Sequence, residues 1–189
     1  MSLGRYVQLL QAIELFKPKT IAEIGTWNGQ NAIRMIKQAQ RHHKKISYIG
    51  YDLFEDASDT TDAEELNVKK HYGINEVQGL IKDACPDADI TLYKGNTRDT
   101  LEKLSVDFCF IDGGHSVETI KSDHERCAGS YVIIHDDYYE PDSAGRLPDI
   151  SLYGCNSLVS GMTNGWVLPM SDAVKTGGKT HMVLIVGGK

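Results

Sequence analysis

The chain has 189 residues, of which 41% are hydrophobic and 24% are charged, and its formal net charge is -6. This length predicts one domain, residues 1–189, and this composition excludes a disordered chain. Basic residues are scattered apart from a cluster at residues 41–45, which we interpret as a solvated helix end. A nucleic-acid-binding surface is therefore not evident.

Neither a membrane segment nor a cysteine-based metal motif is evident. No apolar run approaches the ~20 residues of a membrane span, and the first residues lack the apolar core of a signal peptide. The four cysteines form no C-x-x-C pair, which argues against a zinc site or a disulfide framework. We expect a cytoplasmic protein without a nucleic-acid or membrane partner, and homo-oligomer formation stays open.

The first elements in chain order are a helix over residues 6–16 and a strand, turn and helix over residues 20–40. The strand is apolar except for Glu23, it breaks at Gly25, and a helix-compatible segment follows Gly29. Glycines allow a tight turn and a close approach of a ligand to the backbone. The G-x-G-x-x-G order that holds a pyrophosphate is absent, so a nucleotide pocket of another kind is predicted, with an empty glycine turn as the alternative.

A second strand, residues 45–53, ends in Asp52. An acid at this place in a nucleotide-binding βαβ unit accepts hydrogen bonds from ribose hydroxyls, and the alternative is an acid that caps a turn. Residues 54–68 are strongly acidic and interrupt the alternation of strands and helices. Such a run is usually a solvated or mobile segment, but its place at the rim of the predicted pocket suits a lid.

Three further strands are predicted over residues 90–94, 106–112 and 130–134, with intervening helices over residues 75–85, 98–104 and 117–127. After the third strand, Asn96 is placed to bond an adenine ring, although a plain turn with Thr97 as the helix cap explains the same residues. Ser116 is expected to cap the third of these helices.

Two strand-like segments, residues 165–170 and 180–186, flank a turn near the end of the chain and predict an antiparallel hairpin at the sheet edge. The alternation before them predicts a parallel, doubly wound sheet. The predicted fold is therefore α/β, with one mostly parallel seven-stranded sheet and a C-terminal antiparallel hairpin. Functional groups then belong at the carboxyl ends of the strands.

Three acids follow the predicted fourth and fifth strands, namely Asp112, Asp136 and Asp137. Neighbouring strands lie about 4.8 Å apart, so these carboxylates are expected to converge. Carboxylates in a partly dehydrated cleft repel each other unless they are protonated or share a cation. Oxygen ligands without a nearby cysteine favour Mg²⁺, with Ca²⁺ or Mn²⁺ as alternatives.

His115 is the candidate general base. It lies three residues after Asp112, and its ordinary pKa of ~6.5 suits proton abstraction at neutral pH. The alternative is a histidine that fixes the loop by hydrogen bonding. We leave both open.

The pattern E-x-G-x-x-x-G at residues 23–29 resembles the first motif of class I S-adenosylmethionine-dependent methyltransferases, which have a Rossmann-like fold. IDGGHSVETIKSD followed by GSYVIIHDDY is similar to the metal-dependent small-molecule O-methyltransferases of the catechol type and the macrolide and aminocoumarin sugar types. This resemblance implies a cofactor site formed by Glu23, Gly25, Thr26, Trp27, Asn28, Gly29, Asp52, Leu53, Asn96 and Asp112.

The resemblance also implies that Asp112, Asp136 and Asp137 hold Mg²⁺, and His115 stands where catechol-type relatives carry a catalytic lysine. A departure is Val117, where related sequences often have an aromatic residue. The predicted function is S-adenosylmethionine-dependent, Mg²⁺-assisted methyl transfer to a hydroxyl of a small molecule. The alternatives are a cephalosporin hydroxylase-like oxygenase, an NAD-type oxidoreductase and a non-catalytic nucleotide-binding module.

Overall fold

The computed structural model describes residues 4–67, 70–146, 153–175 and 177–187. The strands are β1 (Thr20–Ile24), β2 (Ser47–Asp52), β3 (Asp89–Lys94), β4 (Phe108–Ile111), β5 (Val132–Glu140), β6 (Gly165–Ala173) and β7 (Lys179–Val186). The helices are α1 (Tyr6–Phe16), α2 (Gln30–Ala39), α3 (Asp59–Glu64), α4 (Ile74–Ala84), α5 (Thr97–Thr100), α6 (Val117–Cys127) and α7 (Gly154–Val159), with a 3₁₀ turn at Phe54–Asp56. Among the described residues, no helix has the length and apolar character needed to span a membrane.

The strands form one sheet in the order β3-β2-β1-β4-β5-β7-β6. Neighbours from β3 to β5 are parallel, and β7 runs antiparallel to both β5 and β6. The predicted α/β fold, with a mostly parallel seven-stranded sheet and a C-terminal antiparallel hairpin, is therefore confirmed. In this order the carboxyl ends of β2, β1, β4 and β5 lie side by side, so the residues that follow them meet at one edge.

Helices cover both faces of the sheet, and the central strands are apolar almost throughout because they are buried on both sides. On one face, α1, α2 and α4 pack a cluster that includes Leu9, Ile36 and Ile81. On the other face, α6 and α7 pack a cluster that includes Ile120 and Cys155. These two layers hold the strand ends in place and so make the edge of the sheet a rigid base for a site.

β5 extends far beyond the predicted strand over residues 130–134 and reaches Glu140. Its first half pairs with β4 and β7, whereas its last residues pair only with β7, after a register shift between His135 and Tyr138. Asp136 and Asp137 therefore lie in an irregularity inside the strand and not after its end. Such irregularities aim side chains in new directions, and Asp137 has a φ of 58°.

The expectations for the turn after β3 are wrong in two details. The helix expected over residues 98–104 is limited to α5, and its N-cap is Asn96 and not Thr97. The Asn96 side chain accepts a hydrogen bond from the Arg98 N–H at 2.9 Å, which is the usual geometry of an N-cap. The expected cap of α6 is confirmed, since the Ser116 side chain accepts a hydrogen bond from the Thr119 N–H.

Candidate active site

The glycine turn between β1 and α2 packs closely against the chain at the ends of β2 and β4. Gly25 has a φ of 90°, and its N–H donates to the Tyr51 carbonyl at 2.8 Å. A Cβ at Gly25 would overlap the backbone of Asp112, which follows β4. Gly29 has a φ of 74° and is the N-cap of α2, where a Cβ would lie 3.0 Å from the Ile81 side chain. Both glycines are required by the backbone conformation and by packing.

A cavity of about 110 Å³ opens at this edge of the sheet. Most of the residues predicted to bind a cofactor line it, and so does the predicted base His115. The lining members of the predicted cofactor set are Gly25, Trp27, Asp52, Leu53, Asn96 and Asp112. Residues from four separate segments of the sequence thus meet at one pocket, as the resemblance implies.

The remaining predicted cofactor residues support the turn and do not line the cavity. Glu23 is buried in β1 and accepts a hydrogen bond from the Tyr48 hydroxyl. Burial and the charge of Glu23 raise the pKa of Tyr48, which keeps the phenol protonated as a donor. Thr26 is also buried, with its hydroxyl 3.5 Å from that of Tyr48. Asn28 accepts a hydrogen bond from the Gln30 N–H at 3.1 Å, and Gly29 begins the helix.

Asp52 caps the turn and lines the cavity at the same time. Its Oδ2 accepts a hydrogen bond from the Trp27 N–H at 2.7 Å, and its Oδ1 accepts one from the Phe54 N–H at 2.8 Å. Both interpretations of this acid that the sequence allows are therefore compatible with its position. Because a carboxylate oxygen can accept two hydrogen bonds, Asp52 keeps acceptor capacity toward the cavity.

The acidic segment after β2 folds over the cavity, and we call its residues 57–67 the acidic cover. Its helix α3 begins with a capping box between Ser58 and Thr61. Several of its side chains line the cavity, together with His71, and these are Thr61, Asp62, Glu65 and Asn67. The ring of His71 lies 2.8 Å from Asp62, which ties the start of the cover to the chain that follows it.

Glu65 fastens the acidic cover to the N-terminus of α6. Its carboxylate accepts a hydrogen bond from the Ser116 N–H at 3.1 Å and one from the Thr119 hydroxyl at 2.5 Å. A Cβ at Gly114 would overlap the same carboxylate, so Gly114 leaves the room that Glu65 needs. A negative charge is also favoured at a helix N-terminus. The cover is therefore held over the pocket by a specific contact.

The acids after β4 and within β5 converge as predicted, and Arg5 reaches into their cluster. The Arg5 guanidinium donates to both oxygens of Asp136, each at 2.7 Å, and to Asp137 at 2.9 Å and Asp172 at 3.0 Å. The side chain of Arg5 is 11% exposed and that of Asp136 is 1% exposed. Burial alone would raise the pKa of Asp136, but the Arg5 guanidinium lowers it, so this pair remains charged.

Tyr6 lies between Asp112, which follows β4, and Asp136 within β5. Its hydroxyl is 3.1 Å from Asp112 Oδ2 and 2.9 Å from Asp136 Oδ2. Burial and the charges of both carboxylates raise the pKa of Tyr6, so the phenol stays protonated. Since a phenol has one hydrogen to donate, Asp112 and Asp136 share the one proton that Tyr6 can donate.

His115 and Asp137 form a pair at the side of the cluster. His115 Nδ1 lies 3.1 Å from Asp137 Oδ2, while Asp137 Oδ1 accepts from Arg5 and, at 3.2 Å, from the Thr180 hydroxyl. The His115 carbonyl accepts a hydrogen bond from the Gly154 N–H at 2.8 Å. This geometry orients the imidazole and leaves Nε2 as the nitrogen that is not paired with Asp137.

The three carboxylates predicted to hold Mg²⁺ are not the group that best matches a metal site. Ligand atoms of Asp112, His115 and Asp137 all lie within 4.8 Å of one another, and Asp136 is outside this group. With Arg5 in place, both oxygens of Asp136 are already occupied by a cation. The predicted set of three acids therefore does not fit a divalent ion, whereas the set with His115 has suitable donors for one.

Sequence reasoning missed Arg5, Tyr6 and Asp172. The sequence does indicate that a basic side chain must reach the acids, because three converging carboxylates need a cation. No Lys or Arg occurs directly after β4 or β5, so that side chain must come from another part of the chain. The sequence cannot show which of the scattered basic residues supplies it. Arg5 is 131 positions from Asp136, so only the fold brings them together.

The family of the chain follows from a comparison with family models. The model described as "Methyltransferase domain" matches residues 22–136, which is more than half of the chain. The chain belongs to this methyltransferase family. The prediction of an S-adenosylmethionine-dependent methyltransferase is thereby confirmed at the level of family and fold.

Solved structures of O-methyltransferases share the fold of this methyltransferase. The O-methyltransferase NovP has a TM-score of 0.66 and 15% identity over 97% of this chain and 81% of its own. The O-methyltransferase TomG from Streptomyces achromogenes is involved in tomaymycin synthesis and was solved with S-adenosylmethionine. It has a TM-score of 0.59 and 13% identity, and the match covers 96% of this chain and 78% of TomG. An O-methyltransferase from Bacillus cereus, solved with S-adenosylhomocysteine, has a TM-score of 0.57 and 15% identity, and the match covers 95% of this chain and 79% of its own. The comparison with curated proteins found no match.

Proposed function

We propose that this methyltransferase transfers the methyl group of S-adenosylmethionine to a hydroxyl of a small molecule. The observation that carries the proposal is one cavity lined by both Asp52 and His115, with the acid cluster beside it. The O-methyltransferases that share the fold and contain S-adenosylmethionine or S-adenosylhomocysteine support this donor. No observation favours the oxygenase, oxidoreductase or non-catalytic alternatives.

The donor site in this proposal is the glycine turn together with Asp52. When bound, S-adenosylmethionine supplies a methyl group that is already activated on a positively charged sulfur. Asp52 would accept hydrogen bonds from ribose hydroxyls in addition to those from the Trp27 and Phe54 N–H groups. The acidic cover limits access of water, and alignment of donor and acceptor supplies most of the rate.

The acceptor site is the space beside His115. Nδ1 of His115 lies 3.1 Å from Asp137, which favours the tautomer with its proton on Nδ1, so Nε2 is the nitrogen that would accept the proton of the acceptor hydroxyl. Asp137 then stabilises the imidazolium that forms, because the two groups are 3.1 Å apart. The deprotonated oxygen would then form a bond to the methyl carbon while the carbon–sulfur bond breaks, which would leave S-adenosylhomocysteine as the second product.

Mg²⁺ assistance is a second version of the same proposal. A divalent ion would be held by Asp112, His115 and Asp137, whose ligand atoms lie within 4.8 Å of one another. Such an ion lowers the pKa of a coordinated hydroxyl. In this version His115 is a ligand and not the base, so the two versions exclude each other and differ in their sensitivity to chelators.

The remaining expectations rest on the sequence alone. We propose a cytoplasmic location, a small hydroxylated substrate and no membrane partner. We also propose that no nucleic acid binds, because the net charge is -6 and the basic residues are scattered. A homo-oligomer is compatible with the sequence.

Calorimetric titration with S-adenosylhomocysteine tests the donor site. We expect binding to the wild-type protein and at least roughly tenfold weaker binding to Asp52→Ala, since ribose acceptors are lost. NAD, titrated in parallel, should not bind. Binding of NAD without binding of S-adenosylhomocysteine would contradict the proposal.

A screen of catechols, hydroxylated sugars and flavonoids, followed by His115→Gln, tests the chemistry. With an acceptor in hand, His115→Gln should lower kcat by about 10²- to 10⁴-fold, as is typical of a lost general base, and should leave S-adenosylhomocysteine affinity unchanged. His43→Gln, which changes a partly exposed histidine whose Nε2 lies 2.8 Å from the Lys17 carbonyl, is the control and should retain activity. Full activity of His115→Gln would show that His115 is not the general base.

A further inference from the structure

Arg5 supplies the positive charge that the acid cluster needs. We propose, on the basis of the function proposed above, that Arg5 is the resident cation of the active site and that methyl transfer here needs no divalent metal ion. Arg5 acts through Asp136 and Asp137 and is therefore a positioning residue. This choice selects the version of the reaction in which His115 is the base.

Arg5 is held in the acid cluster by several hydrogen bonds from both its side chain and its main chain. Nε and Nη2 donate to the two oxygens of Asp136 in parallel, which is the strongest arrangement between a guanidinium and a carboxylate. Nη2 also donates to Asp137 and Nη1 to Asp172. The backbone N–H of Arg5 lies 3.4 Å from Asp172, and a Cβ at the preceding Gly4 would overlap that carboxylate. Main chain and side chain are thus both docked against the acids.

The guanidinium already holds both oxygens of Asp136 and one oxygen of Asp137, which a divalent ion shared by the three acids would need. Mg²⁺ binds carboxylate oxygens at about 2.1 Å, and the Asp136 and Asp137 oxygens that Arg5 contacts lie at 2.7 to 2.9 Å from its nitrogens. An ion on any of those oxygens would therefore be at most about 5 Å from a guanidinium nitrogen. The site is largely shielded from water, so the repulsion between the two cations is only weakly screened.

Arg5 also orients the base. It holds one oxygen of Asp137, and the other oxygen faces His115 Nδ1 at 3.1 Å. Asp137 has a φ of 58°, a left-handed conformation that needs support from its surroundings. The bonds from Arg5 and Thr180 provide that support. The chain of contacts from Arg5 through Asp137 to His115 therefore sets the tautomer of the imidazole.

Titration with Mn²⁺, followed by electron paramagnetic resonance, tests the inference without an acceptor. The proteins are the wild type, Arg5→Gln, Arg5→Lys and, as control, Arg41→Gln, which changes an exposed arginine on another surface. We expect weak, non-stoichiometric binding to the wild type and to Arg41→Gln. Arg5→Gln should bind one Mn²⁺ at least about tenfold more tightly, because Asp136 and Asp137 lose the guanidinium that neutralises them and can then share the ion with Asp112. Arg5→Lys keeps the charge and should resemble the wild type.

Activity provides the second readout. With the acceptor from the screen, EDTA should leave wild-type turnover unchanged, and added Mn²⁺ should partly restore Arg5→Gln. Stoichiometric Mn²⁺ binding by the wild type together with loss of its turnover in EDTA would overturn the inference. Those two measurements use only the wild type, so they remain decisive if Arg5→Gln does not fold. Because Mn²⁺ binding is independent of the donor, failure of S-adenosylhomocysteine to bind would count against the proposed function alone.

Discussion

Gly25 shows how one residue links three strands. Its N–H donates to the Tyr51 carbonyl near the end of β2, and a Cβ on it would overlap the backbone of Asp112 after β4. Gly25→Ala should therefore force these segments apart and place alanine at a φ of 90°. We expect a loss of at least about 2 kcal/mol in the free energy of unfolding, measured with urea, and a clear loss of S-adenosylhomocysteine affinity.

Gly79→Ala is the matched control for this prediction. Gly79 lies inside α4, and a Cβ there would contact nothing within 4 Å. Alanine is preferred to glycine in a helix, so this variant should be more stable by about 0.5–1 kcal/mol and should bind S-adenosylhomocysteine normally. Equal effects of the two substitutions would show that Gly25 is not required by packing.

Asp123 on α6 is a fully buried acid with an unusual protonation equilibrium. Neither carboxylate oxygen accepts a hydrogen bond of ordinary geometry from the described residues. Burial raises the pKa of Asp123 to about 6, against the lowering effect of Thr97 and with a further increase from Glu65. A folded-state pKa above the unfolded value of about 3.9 means that the folded protein holds more protons between pH 4 and 6. Stability contributed by this group therefore falls as the pH rises through that window.

Asp123→Asn should remove this pH dependence. Relative to the wild type, the variant should gain about 1 to 2 kcal/mol in the free energy of unfolding between pH 5 and pH 8, measured with urea at both values. Asp87→Asn changes an exposed acid and should show no such difference. A constant difference at the two pH values would contradict the raised pKa.

At the scale of residues, the sequence predicts acids better than their partners. Asp112, Asp136 and Asp137 were found because they follow apolar strand segments that are recognisable on their own. Arg5 was missed because no pattern near it in the sequence indicates that its side chain contacts acids in β5. Residues that are placed by local pattern are predictable, whereas residues that are placed by tertiary contact are not.

The acidic cover is an element whose stability depends on one side chain. Glu65 connects it to α6 through Ser116 and Thr119. Hydrogen bonds to a charged group contribute about 1.5–3 kcal/mol, so Glu65→Ala should open the cover more often. We expect S-adenosylhomocysteine to dissociate roughly ten times faster, measured by stopped-flow fluorescence, and faster amide exchange in residues 57–67.

Glu64→Ala is the control for the cover, because Glu64 is the exposed neighbour in α3 with the same charge. It should leave both the dissociation rate and the amide exchange at wild-type values. If both variants speed dissociation equally, the acidity of the segment matters and the contact with α6 does not.

The predicted elements agree best where periodicity is strong and neighbours are local. α1 and α6 have the predicted bounds because their apolar spacing and caps lie within each helix. β5 was predicted too short because its second half is held by β7, a strand that follows much later in the chain. This extension turns Asp136 and Asp137 from residues after a strand into residues inside one, which decides where their side chains point.

The first helix, α1, contacts β6, a strand from the last part of the chain. α1 carries Arg5 and Tyr6 at its start, and its Gln8 is buried against β6. The Gln8 amide donates to the Met170 carbonyl at 3.0 Å and accepts from the Met170 N–H at 2.7 Å. Pairing between β6 and β7 shifts register between Val167 and Ser171, and Gln8 satisfies the backbone groups of Met170 at that interruption.

Gln8→Ala should therefore weaken the connection between α1 and β6. Both backbone groups of Met170 lose their partner at a partly buried place, so we expect a loss of about 1–2 kcal/mol in the free energy of unfolding, measured with urea. Gln11→Ala changes an exposed glutamine of the same helix and should stay within about 0.5 kcal/mol of the wild type. The Met170 amide should exchange faster in Gln8→Ala only. If the two variants were equally stable, the bonds to Met170 would contribute nothing, and α1 would be held in place by its apolar face alone.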